Sequence, residues 1–280
     1  MLVDTHAHLY WDSYQTDLDQ VLNRAKQNGL GLIINIGTDL PTSLRAITQA
    51  KSITEIPTYA TVGLHPHEGA TLNTEQQIEE EVKKLEQLYI ENKEKVVAIG
   101  ECGLDFFFRE NAGFNHSELS QDEQKTNQRK LFKSQIQLAK KLDLPLVIHC
   151  RDGHSTGSDL SAWSEIFISE LEGTIGVFHN FSGTLEDAKK ALSLGYYLSF
   201  SCVVTYPKNQ YLRDLIKDLP LDKIVTETDC PFLPPQQIRG QRNEPFNVAE
   251  VVKTISEIKQ LPFTETAKVI TENAQRLFGI

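Results

Sequence analysis

The chain is short of the features that mark several protein classes. No apolar run approaches the ~20 residues that span a bilayer. The N-terminus lacks the basic-then-apolar order of a secretory leader. A cytoplasmic location without a membrane partner is therefore expected. Cysteine is sparse: Cys102, Cys150, Cys202 and Cys230 lie far apart in apolar stretches. That spacing argues against a disulfide framework and for reduced thiols used as small core residues. Basic charge is also scarce. With 28 Lys and Arg against 38 Asp and Glu, the formal net charge is −10, which argues against a protein that coats nucleic acid along a basic surface. A phosphate substrate stays open, because bound divalent cations are the largest local charges in such a site. No linker, composition shift or short repeat divides residues 1–280, so one domain is expected.

What is present is alternation. Short apolar runs bounded by Gly, Pro or Asp predict strands at Leu2–His8, Leu30–Gly37, Thr58–His65, Val96–Glu101, Leu144–Cys150, Thr174–Phe181, Tyr196–Cys202 and Lys223–Asp229. Between them lie amphipathic segments such as Asp17–Gln27, Glu75–Glu91, Gln121–Leu142, Leu185–Leu194 and Asn209–Lys217. Val248–Lys259 and Glu265–Phe278 close the chain. Thr184-x-x-Asp187 and Asn247-x-x-Glu250 read as variants of the capping box. Eight strands alternating with helices fit either a (β/α)8 TIM barrel or a doubly wound sheet. Polar residues end many different strands instead of meeting at one crevice, and that pattern selects the barrel with its C-terminal rim as the working face.

On that rim stand His6, His8, His65, Glu101, His149, His179 and Asp229. Asp4, His6 and His8 share one face of the first strand, since side chains two apart point the same way. Two imidazoles so placed reach one metal ion. Any one of these residues has an ordinary structural explanation. Together they bring imidazoles and carboxylates to one place, which metal ions neutralise most simply. Cys102, Cys150 and Cys230 each follow one of these residues directly, so alternation turns them away from the rim.

At this point the sequence resembles the TatD-type metal-dependent deoxyribonucleases of the amidohydrolase superfamily. The likeness runs end to end through Asp4-Thr-His-Ala-His8, Gly63-Leu-His-Pro66, Gly100-Glu-Cys-Gly-Leu-Asp105 and Pro145-Leu-Val-Ile-His-Cys-Arg-Asp152. It continues through His179-Asn-Phe-Ser-Gly183, Glu227-Thr-Asp-Cys-Pro231 and Arg242-Asn-Glu-Pro245. The resemblance implies two divalent ions, of Zn, Mn, Mg or Co. His6, His8 and Asp229 would hold one, His149 and His179 the other, with Glu101 bridging. Some related amidohydrolases bridge their metals with a modified lysine on strand four; Glu101 stands there in this chain. The implied activity is phosphodiester hydrolysis by a bimetal-activated water, as a 3′-to-5′ exodeoxyribonuclease on single-stranded DNA. DNA ends or short oligonucleotides would be the substrate, and no obligate protein partner is evident.

Asp229, Glu101 and His65 are the candidate catalytic residues. His65 is expected either to bind the scissile phosphate or to protonate the leaving group. Glu227, two residues before Asp229, is expected to hold a further cation, orient a ligand or form a salt bridge. Arg151, Phe106, Arg242 and Asn243 are candidate substrate contacts: Arg151 to grip a phosphate or pair with Asp152 or another surface carboxylate, Phe106 or Phe108 to meet a base, Phe107 to pack in the core. Arg242 pairs with Glu244 in the alternative reading. The long segment Arg109–Asp122 reads as a lid over the substrate, and the loop Gly153–Ser158 departs from the family pattern. A hydrolase of another ester (phosphomonoester, lactone or D-aminoacyl-tRNA) and a non-enzymatic metal-binding interaction module are the alternative functions.

Overall fold

A computed structural model of the chain describes residues 1–108, 119–152, 161–167 and 169–280. Eight parallel strands lie side by side in sequence order: β1 (Leu2–Ala7), β2 (Leu30–Asn35), β3 (Thr58–Val62), β4 (Val96–Asp105), β5 (Leu146–Arg151), β6 (Gly176–Phe178), β7 (Tyr197–Phe200) and β8 (Ile224–Thr226). The first and last meet through the Ala7–Cys230 bridge. There the Asp229 N–H donates to the His6 carbonyl at 2.9 Å and the His8 N–H to the Cys230 carbonyl at 2.9 Å. The sheet thus closes into the expected (β/α)8 TIM barrel, and its seam runs through three of the predicted site residues.

The helices are α1 (Leu18–Gln27), α2 (Leu40–Ser52), α3 (Glu75–Glu91), α4 (Gln121–Leu142), α5 (Ala162–Ile166), α6 (Leu185–Ser193), α7 (Gln210–Asp218), α8 (Val248–Lys259) and α9 (Phe263–Phe278). Parallel strands covered by helices are buried on both faces, which is why they appear in sequence as unbroken apolar runs. Each helix supplies one apolar face to that layer, such as Val21, Leu22 and Ala25 from α1. Reciprocal capping boxes start α2, α3, α4 and α6, at Asp39/Thr42, Thr74/Gln77, Ser120/Glu123 and Thr184/Asp187. The box expected at Asn247 does not form. Asn247 has helical dihedrals and no side-chain cap, and its amide donates to Asn243 Oδ1 at 2.8 Å. All four cysteines are buried free thiols.

Three strands differ from expectation where it matters for the site. β4 runs four residues past Glu101, so Glu101 sits inside the barrel mouth and Asp105 reaches the rim. β6 and β8 are shorter than expected, and His179 and Asp229 follow their last residues. Freed from the ladder, the backbone turns there: Asn180 (φ 42°) and Asp229 (φ 57°) are left-handed, a conformation uncommon for non-glycine residues and concentrated at functional sites.

Gly103 shows what holds β4 in place. It is registered beside His149 of β5, has φ 136°, and a Cβ would collide with the His149 carbonyl oxygen. Gly103→Ala should therefore destabilise the protein by at least ~1–3 kcal/mol from backbone strain alone, read as a lowered denaturation midpoint. An unchanged midpoint would show that the β4–β5 approach is not constrained in this way.

Candidate metal centre

Two of the eight histidines, His116 and His154, fall outside the described residues. The other six meet at one place. From β1 and the residue that follows it, His6 Nε2 and His8 Nε2 face each other at 3.2 Å, with Asp229 Oδ1 3.7 and 3.4 Å from them. From β5 and the end of β6, His149 Nδ1 and His179 Nε2 are 3.1 Å apart. Glu101 lies between the two groups. Its Oε1 is 2.9 Å from His149 Nδ1 and 3.0 Å from His179 Nε2, while its Oε2 is 3.4 Å from His6 Nε2. His6 also stacks on His179 with ring centroids 4.0 Å apart.

The donor set fits divalent ions. Two imidazole lone pairs pointed at each other repel unless a proton or cation sits between them. Around an ion with ~2.0–2.1 Å bonds, tetrahedral ligand atoms are ~3.3 Å apart, close to the spacings in both groups. His6/His8/Asp229 and His6/Glu101/His179 each form a cluster compact enough for one ion. His65, Asp105 and His149 form a third compact cluster. His149 has two ring nitrogens, however, and Nδ1 already faces Glu101 and His179.

The electrostatics describe the same competition. Burial opposes the charge of Glu101, yet His179, His65, His6 and His149 hold its carboxyl well below the usual range. Burial likewise opposes a charged His179, but Glu101 and Glu227 push it well above an ordinary histidine. His6 is lowered by burial and by the neighbouring His179. Asp229 is lowered too; its burial is overcome by the hydrogen bond with His8 and by the charges of His6, His179 and His8. Burial keeps His65 well below its ordinary value. Its Nδ1 accepts the His67 backbone N–H at 3.2 Å, so Nε2 carries the proton. A neutral N–H beside Glu101 is a hydrogen-bond donor for a phosphate oxygen, which favours the phosphate-binding expectation over a leaving-group acid.

The surroundings orient these groups. Glu227 Oε1 is 3.2 Å from His179 Nδ1 and accepts the Asn180 N–H at 2.8 Å, so it pairs with His179 and orients the ring of that candidate ligand. Asp105 ends the Gly100–Asp105 motif, and the sequence pattern alone assigns it no role. Its carboxylate is fully buried, 3.3 Å from His149 Nε2 and 3.0 Å from His67 Nε2, and bidentate on Arg151 at 3.0 and 2.5 Å. The His149 approach falls short of full hydrogen-bond alignment, yet Asp105 helps raise His149 above its ordinary value. It still biases the ring proton to Nε2 and leaves Nδ1 as the donor, the arrangement that partners of metal-ligating histidines impose. The extension of β4 was the missing signal: once the strand continues past Glu101, alternation places Asp105 on the same face.

Several expected substrate contacts are otherwise engaged. Asn243 is fully buried, and its amide donates to the carbonyls of Phe232, Thr228 and Leu233 at 2.8, 3.0 and 3.3 Å. It holds the loop after β8 and cannot meet substrate. Arg242 pairs with Glu244 at 3.0 Å, as the alternative reading had it. Its main partner is Asp17, bidentate at 2.8 and 2.7 Å. The aromatic roles also change. Phe106 is the buried ring, under Lys125 and Arg129, whereas Phe107 and Phe108 are half-buried and Phe107 lies beneath Arg151. Packing decides this: Phe106 follows the end of β4 and falls against α4. Arg151, half-exposed at the exit of β5, keeps a face on the rim but takes buried Asp105, not Asp152, as its partner. Most of the expected lid (109–118) and all of the loop 153–158 lie outside the described residues.

Comparison with known proteins settles the family. The family model described as TatD related DNase matches residues 3–279. This chain belongs to the TatD-related DNase family. As a TatD-family protein it is a metal-dependent hydrolase. It is 38% identical over 280 residues to the Bacillus subtilis protein named uncharacterized metal-dependent hydrolase YabD, covering all of both chains. It is 30% identical over 289 residues, again covering both chains fully, to the 3′-5′ ssDNA/RNA exonuclease TatD of Pectobacterium parmentieri. Among solved structures, the TatD homologue YjjV of Escherichia coli K12 superposes with a TM-score of 0.81 at 30% identity, over 100% of this chain and 98% of that one.

Asp105→Asn keeps the size of the side chain and removes its charge. In this TatD-family centre it should weaken binding of one divalent ion by roughly 10–100-fold and leave the other nearly unaffected, as titration calorimetry on the stripped protein would show. Affinity for that same ion should rise with pH in the wild type, because the raised His149 and His179 must release protons to bind it. Equal weakening of both ions, or none, would contradict the positioning role.

Proposed function

We propose that this protein is a two-metal 3′-to-5′ exodeoxyribonuclease acting on single-stranded DNA. His6, His8 and Asp229 would hold one divalent ion and His149 and His179 a second, with Glu101 shared between the two groups. One observation carries this reading: the two oxygens of Glu101 face different groups, Oε2 toward His6 and Oε1 toward His149 and His179. When bound, such ions neutralise charge on a phosphodiester and lower the pKa of water from 15.7 to about 7.

The chain's own residues do the rest. Asp229, 15% exposed at the mouth and kept ionised by its histidines, is the proton acceptor for attacking water. His65 donates its Nε2–H to a phosphate oxygen. Arg151, held flat by Asp105, presents the outer face of its guanidinium to the substrate phosphate. Few cationic contacts are needed, which suits a chain with net charge −10 that takes DNA ends or short oligonucleotides into a narrow rim. The 3′-to-5′ polarity and a single-stranded nucleic-acid substrate are supported by relatives named 3′-5′ ssDNA/RNA exonuclease TatD. No helix among the described residues is long and apolar enough to cross a membrane.

The test is cleavage of end-labelled oligonucleotides by stripped and reconstituted protein. Removal from the 3′ end of single strands, abolished by chelation and restored by Zn²⁺, Mn²⁺, Co²⁺ or Mg²⁺, is the expected result. Asp229→Asn with verified metal content should lower turnover by ~10²–10⁴-fold with a much smaller change in oligonucleotide affinity. Wild-type turnover by the fully loaded variant would remove Asp229 from proton transfer, and efficient cutting of closed circles would exclude an end-recognising site.

A further inference from the structure

Beside the first ion group lies an aromatic ledge that no step above uses. Trp11 is three residues after His8, and Phe232 three residues after Asp229, so each stands one turn beyond a proposed ligand. Their rings meet edge to face with centroids 5.1 Å apart, and Phe232 also meets the His8 ring edge to face at 6.2 Å. Phe232 is 42% exposed. Trp11 is half-buried, with one side against the core.

The exposure of Phe232 is built into the loop. Its N–H donates to the Asp229 carbonyl at 2.9 Å. Its own carbonyl and that of Leu233 are held by the buried Asn243 amide, and Leu233 takes a left-handed φ of 50°. On the other side, the Trp11 N–H donates to the His8 carbonyl at 3.2 Å. A fully buried amide thus fixes the backbone of a residue whose ring faces solvent next to the metal centre. One exposed apolar side chain is ordinary, but two rings in contact, on a backbone fixed beside a site, offer a surface for a ligand.

We infer that Trp11 and Phe232 form a nucleobase subsite, on which a base adjoining the scissile phosphodiester stacks. The inference rests on the nuclease reading for its occupant. A base suits the ledge because every base offers a π face and stacking tolerates any sequence. It needs no basic groove, in keeping with the acidic chain. Continuity with the His8 ring places that base within one ring of the first ion group.

The test compares single-stranded oligonucleotides that are intact, or abasic at the terminal or the penultimate 3′ nucleotide, at fixed metal occupancy. Wild-type kcat/KM should fall about tenfold for one of the abasic positions. Phe232→Ala and Trp11→Ala should lose that discrimination, whereas Trp11→Phe, which keeps a ring, should retain it. Circular dichroism and melting identify any variant that fails to fold, and Phe232→Leu then supplies the test of ring loss with bulk retained. A second readout is Trp11 fluorescence with phosphorothioate-ended oligonucleotides, assigned by its loss in Trp11→Phe. Quenching by intact but not abasic ends supports the ledge. Quenching without cleavage of any oligonucleotide would keep the ledge and reject the nuclease reading. Cleavage with base discrimination unchanged in both alanine variants, or no quenching by intact ends, would overturn the ledge.

Discussion

Everything in this structure is arranged around the mutual repulsion of unpaired groups in a buried space. Five imidazoles and the carboxylates of Glu101 and Asp229 are linked by a chain of close approaches of 2.9 to 3.5 Å. Such a cluster is unfavourable in a low-dielectric interior unless cations or shared protons neutralise it. Without metal, protons do part of the work, which is why His179 is raised and Glu101 depressed together. For a bound metal ion the same atoms are candidate ligands, at spacings near those a tetrahedral ion requires. The barrel is the device that forces the groups together, because each strand delivers its last residues to one ring.

That device has a cost in backbone regularity. The β1–β8 seam is closed by hydrogen bonds from Asp229 and His8 themselves, and Asp229 is left-handed where it does so. The residues that complete the barrel are therefore the residues that complete the site. Around them sits a supporting layer: Glu227 behind His179, Asp105 behind His149, and Asp4 accepting hydrogen bonds from the Thr228 N–H and hydroxyl at 2.9 and 2.6 Å. Each fixes a ring or a turn so that the inner groups do not need to be ordered when substrate arrives.

Much of this is legible in the sequence because the barrel writes itself as a period. Apolar runs alternating with amphipathic segments identify the eight strands, and a polar residue at the end of most of them identifies the rim. His6, His8, Glu101, His149, His179 and Asp229 follow from that pattern and from the family likeness. What the sequence conceals is the partner of each side chain. Arg151 stands beside Asp152 in the chain, yet its guanidinium lies on Asp105, 46 positions away. Asn243 belongs to a motif that resembles a substrate loop, but its amide is consumed by three backbone carbonyls. Phe106, Phe107 and Phe108 are identical by residue type. Only the direction in which β4 leaves the barrel decides which ring is buried.

The most direct test of the central claim is the number and place of bound ions, determined by elemental analysis and anomalous scattering at the metal edges in the wild type and in Glu101→Gln. Two ions per chain are predicted in the wild type, one among His6, His8 and Asp229 and the other at His149 and His179. Loss of the Glu101 charge should then lower occupancy and turnover together. Two fully occupied sites with normal turnover in Glu101→Gln, or ions bound away from these residues, would contradict the account.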